Sequence, residues 1–472
     1  MGKYKYLANH IALFSISNFV SKILVFLLVP FYTNVLTTQE YGVADIFQVT
    51  ILLLVPALTV NMGEAALRYG IEREEKRGSI LRIGLKYTAA GGVFVALAAF
   101  ISAFFVSGQM KWYLFLFVLL FITDAFYEFL ILYFQGCEFV TIVVAGSVLS
   151  TLIMLLSNLF FLLVLKIGLN GYLFSQMLAY TAAVCLMLLL GRRHTRGSFH
   201  KDRALEKEML SYGKPLLLYS TGSWINNAAD RYILAALCGT AVNGLYGVAY
   251  KIPAILMVFQ RIFAQAWQMS ATKSYADKNS NEFFSTMYQA YHTFMVIGCS
   301  ALILGVRLLA WLLFKKDFYE AWQYVPPLLI SVIFGALTGF LGSICLAHKD
   351  SRSMGFATGA GALLNIVLNF LLVPYLGAMG SAAATAVSYF TMYFMALLIV
   401  RKYVTIRTKL VRDYLSYLLL VLQSVVMIRS MGPVYAISGL ITLLLIILYR
   451  KEVTDIINKV LSLLKKSEEP QI

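Results

Sequence analysis

Charge is what this sequence has least of. Only 13% of its 472 residues are Asp, Glu, Lys or Arg, about half the share of an ordinary soluble domain. That excludes a chain folded around one core with a water-facing exterior. Nucleotide chemistry is excluded next: no G-x-x-x-x-G-K-[ST] occurs, and Gly213-Lys214 is followed by Pro215, so no loop is built to cradle phosphates. There is no HExxH, and the five histidines form no ligand set; His194 and His200 read as solvated members of a basic loop. The five cysteines (Cys137, Cys185, Cys238, Cys299, Cys345) show no CxxC spacing and are expected to be small buried apolar residues. No cofactor and no metal is expected.

What the chain has is apolar length. Hydrophobic residues make up 60% of it, and stretches 51–60, 93–106 and 414–427 carry no charge. A bilayer core about 30 Å thick needs about 20 apolar residues in a helix. These runs are apolar all round, whereas barrel strands alternate. The expectation is an all-α polytopic membrane protein of about 14 transmembrane helices. We place them at 7–30, 43–63, 85–106, 112–134, 141–165, 169–190, 215–238, 244–267, 287–313, 324–346, 354–374, 378–400, 412–430 and 432–449. The first follows Lys3 and Lys5 but is too long for a signal-peptide core and lacks a small-residue cleavage site, so it is expected to stay as a helix.

The excess of bases (39 Lys+Arg against 23 Asp+Glu) is sorted by side. With the N-terminus inside, 29 fall in cytoplasmic segments and 5 in external ones. This positive-inside asymmetry puts both termini in the cytoplasm. It also accounts for the charge without nucleic acid.

The basic connection 191–213, which contains an amphipathic piece at 203–212, separates six helices from eight. Two short segments recur across it. Tyr41-Gly42-Val43-Ala44 returns as Tyr246-Gly247-Val248-Ala249, and Gly168-x-x-Gly171 returns as Gly377-x-x-Gly380, at offsets of 205 and 209. Each opens the same helix of its half. The reading is an N-lobe (1–190), a basic linker (191–213), a C-lobe (214–400), two extra helices (401–449) and an amphipathic tail (450–472) lying on the inner leaflet. The six-helix lobes are expected to be related by pseudo-two-fold symmetry along the membrane normal.

Several stretches are similar to one family. Pro30-Phe31-Tyr32-Thr33-Asn34-Val35-Leu36 with Glu40-Tyr41-Gly42 resembles the end of the first helix of Wzx-type polysaccharide flippases, members of the multidrug/oligosaccharidyl-lipid/polysaccharide (MOP) exporters. Tyr212-Gly213-Lys214-Pro215, Asp230-Arg231-Tyr232 and Leu245 through Lys251 resemble the start of the family's second lobe. Asn365-Ile366-Val367-Leu368-Asn369, Pro374, and Gly377 through Ser388 resemble its eleventh and twelfth helices. The resemblance covers residues 5–400. It implies alternating access around a central cavity and a lipid-linked oligosaccharide on a polyprenyl pyrophosphate as cargo. Membrane lipid, a coupling H+ or Na+ and other polysaccharide-assembly proteins are the implied partners, in a bacterial cytoplasmic membrane. The family has twelve helices; the extra pair brings lipid II flippases and sporulation-linked relatives into contention.

Ionisable side chains at membrane depth cost about 2.5–3.5 kcal/mol each on insertion scales, so they are read as facing a cavity. Ser15, Asn18 and Lys22 form one stripe on the first helix. Gly247, Lys251, Arg261 and Gln265 share a face of the eighth, and Asn227, Asp230 and Arg231 cluster on the seventh. Lys22, Arg231, Lys251 and Arg261 are therefore the candidate pyrophosphate ligands between the lobes, Arg as a fork and Lys as a point charge. The competing reading is structural pairing, with Asp230 neutralising a base on a neighbouring helix. Asp124 and Glu128, four apart on the fourth helix, repel as like charges and are the candidates for ion coupling. Glu64 and Arg68 are expected to pair at i, i+4. Pro30, Pro56, Pro253 and Pro374 should bend their helices.

Drug–cation antiport on the same fold would call for acids and aromatics in the cavity. A membrane glycan polymerase or ligase would call for a substantial external loop, and no external connection exceeds about a dozen residues. The chain is therefore read as a transporter and not an enzyme.

Overall fold

The computed structural model describes residues 28–195, 202–274, 280–348, 350–430, 432–455 and 458. Lys22, most of the first expected helix, the middle of the basic linker and most of the amphipathic tail lie outside these residues. Among the described residues every regular element is helical, as a bilayer demands when each backbone N–H and C=O must be satisfied within its own segment.

The chain divides into two compact units, Met1–Ala228 and Ala229–Ile472. The first contains α1 (Val29–Val35), α2 (Thr38–Leu58), α3 (Met62–Glu72), α4 (Arg77–Ser102), α5 (Gln109–Gly136), α6 (Val140–Asn158), α7 (Gly168–Thr195) and most of α8 (Arg203–Cys238). The second holds the end of α8, then α9 (Thr240–Ala249), α10 (Pro253–Ser274), α11 (Ser280–Leu304), α12 (Val306–Leu313), α13 (Val325–Ala347), α14 (Ser351–Val400), α15 (Leu410–Arg429) and α16 (Val434–Leu448).

Among the described residues nine helices are long and apolar enough to cross a membrane, or ten if α9 and α10 are one span bent by 51°. The protein is a multi-pass α-helical membrane protein. Its 50-residue α14 carries both the eleventh and the twelfth expected spans, turning at Gly377, whose φ of 56° and ψ of −136° are not helical. The α8 helix joins the expected amphipathic piece to the seventh span without a break.

The repeated Gly-x-x-Gly segments share a local geometry. Gly168 and Gly377 both have left-handed φ, 52° and 56°, where a side chain would be strained. At Gly168 a Cβ would also sit 2.5 Å from Oε1 of Glu40. That carboxylate closes the capping box of α2, accepting from the Thr37 N–H at 2.8 Å. It also accepts from the Leu169 N–H at 3.2 Å, so one side chain caps two helix starts.

The second expected helix does not run through to residue 63. It stops at Leu58, and Val60 and Asn61 both take left-handed φ, 54° and 51°, before α3 begins. A β-branched residue there is a genuine outlier, costing on the order of 1–3 kcal/mol unless its surroundings impose it. They do: Asn61 N–H bonds the Pro56 carbonyl at 2.9 Å, and a side chain at Gly213 of α8 would overlap the Val60 carbonyl. The start of α8 is also pinned by ion pairs to the α3–α4 segment, Arg73–Glu208 and Lys76–Asp202 at 2.7 Å and Lys86–Glu206 at 2.6 Å.

In the second unit the mostly buried α13 lies against α10, α11 and α14. The C-terminal pair α15–α16 is fastened to α11 by polar groups. Gln423 Nε2 donates to Ser438 Oγ at 2.9 Å and to the Ser300 carbonyl at 3.1 Å. Its Oε1 accepts from Ser300 Oγ at 2.9 Å, and His292 Nε2 meets the Tyr417 hydroxyl at 2.7 Å. Cys137, Cys299 and Cys345 are buried as expected, whereas Cys185 is exposed on α7 and Cys238 is half-buried.

Candidate functional site

The broken end of α2 opens a cavity of about 280 Å³ in the first unit, walled by α2, the 59–61 turn, α3, α5 and the 220–224 stretch of α8. Glu64 and Glu128 both line it, with Phe129 and Trp224 as its aromatic walls. Trp224 is oriented by its indole N–H, which donates to the Val49 carbonyl at 2.6 Å. Asn61 Nδ2 reaches Ser220 Oγ at 3.3 Å. One turn before Glu128, Asp124 meets the hydroxyl of Tyr180, whose ring stacks on Tyr127 with centroids 4.9 Å apart.

The expected Glu64–Arg68 pair does not form. Arg68 bonds Glu72 at 3.0 Å, an equivalent i, i+4 spacing, and its guanidinium lies over the Tyr212 ring at 4.7 Å. Two partners on the far side hold the arginine, and Glu64 in the first turn of α3 is left to the cavity.

The second unit contains a different arrangement. Asp230 is buried to 3% exposure and accepts from the Tyr246 hydroxyl at 2.8 Å and from Tyr250 at 3.4 Å. Tyr246 and Tyr250, four apart on one face, are thus the reason the Tyr-Gly-Val-Ala-Tyr segment matters here. Asn365 Nδ2 donates to Thr385 Oγ1 at 3.3 Å, and Asn369 Nδ2 to Asn365 Oδ1 at 3.1 Å. Thr385 in turn lies 3.5 Å from the Tyr246 hydroxyl. The result is an oxygen-rich buried network around one carboxylate, chemistry suited to a proton or a hard cation. Arg231 lies over the Tyr250 ring at 4.8 Å.

The sequence model of the family described as "polysaccharide biosynthesis protein" matches residues 7–268, more than half of the chain. The chain belongs to that family. An uncharacterized membrane protein of Methanocaldococcus jannaschii is 24% identical over 264 residues, 52% of this chain and 62% of its own length, so the match leaves over a third of that relative uncovered. Among solved structures, the lipid II flippase MurJ in an inward closed conformation gives a TM-score of 0.68 at 15% identity, covering 95% of this chain and all of that one. An inward-facing multidrug resistance MATE family transporter of the MOP superfamily gives 0.66 at 13% identity over 81% and 94% of the two chains. A MOP superfamily transporter from Pyrococcus furiosus gives 0.55 at 13% over 83% and 92%. This polysaccharide biosynthesis family member thus shares its fold with a lipid II flippase and with transporters of the MOP superfamily.

Of the candidate residues of this family member, Lys22 lies outside the described residues. Arg231 and Lys251 flank Tyr250, Arg231 through its ring contact and Lys251 as its chain neighbour. Arg261 is exposed on α10. The face shared by Gly247, Lys251 and Arg261 presumes one continuous helix; the 51° bend between α9 and α10 interrupts it, because Pro253 supplies no N–H to carry the helix across. Among the described residues neither Lys251 nor Arg261 has an ion-pair partner. Asp124 and Glu128 are one turn apart and interact electrostatically; Asp124 also neighbours Tyr180, and Glu128 also lines the cavity. No three described His, Cys, Asp or Glu side chains cluster as metal ligands.

Trp224, Asn61, Asn365, Asn369 and Thr385 were not singled out for these roles by sequence. The spacing of Asn365 and Asn369, two amides four apart in an apolar helix, is the signal that points to their network.

Proposed function

We propose that this protein flips an undecaprenyl-pyrophosphate-linked oligosaccharide from the inner to the outer leaflet of a bacterial cytoplasmic membrane by alternating access. The family match and the likeness to a lipid II flippase support a lipid-linked cargo. The observation that carries the reading is the pair of cations Lys251 and Arg261, which have no acidic partner among the described residues. A cation at depth is expensive unless an anion visits it, and a pyrophosphate supplies one. Arg231 and Lys22 are the further members of the proposed ligand set, and Asp124 with Glu128 is the proposed site of a coupling proton or sodium ion.

Charge-assisted bonds to phosphate contribute about 1.5–3 kcal/mol each. Arg261→Ala should therefore weaken cargo binding by roughly one to two decades, and Arg261→Lys should restore only part, because the planar fork is lost. Protein abundance measured beside glycan translocation separates this from a structural role. Low abundance with normal translocation per molecule would overturn it.

A second reading, antiport of an organic cation, has one observation in its favour: the first-unit cavity joins two carboxylates to aromatic walls. Translocation of a lipid-linked glycan by the purified protein, with no proton- or sodium-driven amine export, decides between them.

A further inference from the structure

The first-unit cavity has an unusual balance of donors and acceptors. Most of its side-chain polar hydrogens are already committed. Thr59 Oγ1 donates to the Val55 carbonyl at 2.7 Å, Ser220 Oγ to the Leu216 carbonyl at 2.8 Å, and the Trp224 indole to the Val49 carbonyl. The Asn61 amide gives one hydrogen to Ser220. Its acceptors, by contrast, are open. Glu64 and Glu128 have no hydrogen bond or ion pair among the described residues. The backbone adds to this: Pro56 lies inside α2 and has no N–H, so the carbonyl of Leu52, four residues earlier, loses its i→i−4 donor, and both residues line the cavity.

Such a wall calls for a ligand rich in donors and positively charged. Hydroxyls alone would satisfy the acceptors but leave two neighbouring carboxylates with no opposite charge beside them. An ammonium group answers both needs, and the face of Trp224 adds cation–π attraction. At about 280 Å³ the space is at the lower edge of small-ligand sites, roughly 300–1,000 Å³. It holds one ring of an oligosaccharide rather than a whole repeat unit, and more than a bare ion.

The geometry points to a subsite for a sugar residue bearing a free amino group, its ring against Trp224 and its ammonium held by Glu64 and by Glu128, where it takes the place of the coupling ion. This rests on the flippase reading and narrows it: the glycan carries an unacylated amino sugar, read in the first unit. Acylation of that amine removes both the charge and two of its hydrogens, so the subsite discriminates between forms of one sugar that differ by a single acyl group.

The test titrates detergent-purified protein with glucosamine, N-acetylglucosamine, glucose and benzyltrimethylammonium, following tryptophan fluorescence, with Trp224→Phe identifying the reporting ring. Glucosamine is expected to bind at least about tenfold more tightly than either neutral sugar. Glu64→Gln and Glu128→Gln, checked for unchanged thermal unfolding, should each weaken glucosamine about tenfold and leave N-acetylglucosamine unaltered. Should those variants unfold, the comparison of sugars on the unmodified protein still decides. Equal binding of all three sugars, or no glucosamine binding by protein that still translocates lipid-linked glycan, overturns the amino-sugar subsite and leaves the flippase reading intact. Tighter binding of benzyltrimethylammonium than of glucosamine, with no glycan translocation, overturns both.

Discussion

Removing the Tyr246 hydroxyl should expose how the second unit tolerates Asp230. The carboxylate is nearly inaccessible, and Tyr246 is completely buried, so no water can replace a lost donor. The Tyr246 bond at 2.8 Å is in the optimal range, whereas Tyr250 at 3.4 Å lies beyond the usual O–H···O range of about 2.5–3.0 Å. A hydrogen bond to a charged acceptor contributes about 1.5–3 kcal/mol. Tyr246→Phe should therefore cost about 2 kcal/mol and Tyr250→Phe less than about 1 kcal/mol. At roughly 2–4 °C per kcal/mol for a domain of this size, the first should lower Tm by roughly 4–8 °C. A thiol-reactive fluorophore reports the transition through Cys299 and Cys345, both buried in the second unit, once the other three cysteines are replaced by alanine. In an Asp230→Asn background the cost of Tyr246→Phe should fall to about 0.5–1.5 kcal/mol, the value for a neutral acceptor. An undiminished cost there, or a Tyr250→Phe effect larger than that of Tyr246→Phe, would refute the assignment of Tyr246 as the main donor to a charged group.

Three further outcomes are expected. Topology reporters fused after residues 200 and 468 should both report cytoplasm, from the 29-to-5 distribution of bases; an external signal at either position would reverse the assignment. Gly136→Ala should destabilise by about 1–3 kcal/mol, since its Cβ would lie 2.6 Å from Leu67 Cα and 2.8 Å from the Ala66 carbonyl oxygen. Gly439→Ala, with nothing within 4 Å, should not, and thermal unfolding of the two variants makes the comparison. Asp202 is held below the ordinary carboxylate range by the Leu205 N–H at the start of α8 and then by Lys76. A depressed folded pKa contributes stability above the unfolded value and loses it as pH falls through the folded one. Asp202→Ala should thus loosen the start of α8 at neutral pH and have no effect once the carboxylate is protonated, as hydrogen exchange of residues 203–212 would show.

The apolar runs made the helices legible, because an uncharged 20-residue stretch has few places to go but a bilayer. The repeats were legible as a shared backbone feature: Gly168 and Gly377 both take a positive φ. The break at residues 59–61 was legible only in part: Asn61 tolerates a left-handed turn, but the β-branched Val60 does not signal one, and its conformation is fixed by the close approach of Gly213, remote in sequence. For the same reason Glu64 was assigned to Arg68. Two equal i, i+4 choices existed for that arginine, and Tyr212, also remote in sequence, favours Glu72. Sequence located the acids and bases at depth. Which of them are already partnered depended on helices it could not pair.

The central claim is translocation of a lipid-linked glycan, and reconstitution tests it most directly. Purified protein in liposomes, loaded with a fluorescent undecaprenyl-pyrophosphate oligosaccharide, is assayed for the fraction reaching the opposite leaflet. The account predicts transfer well above protein-free liposomes, reduced by roughly one to two decades in Arg261→Ala and Lys251→Ala at subsaturating cargo with folding unchanged. Folded protein that moves no glycan, or variants that move it at the unmodified rate, would contradict it.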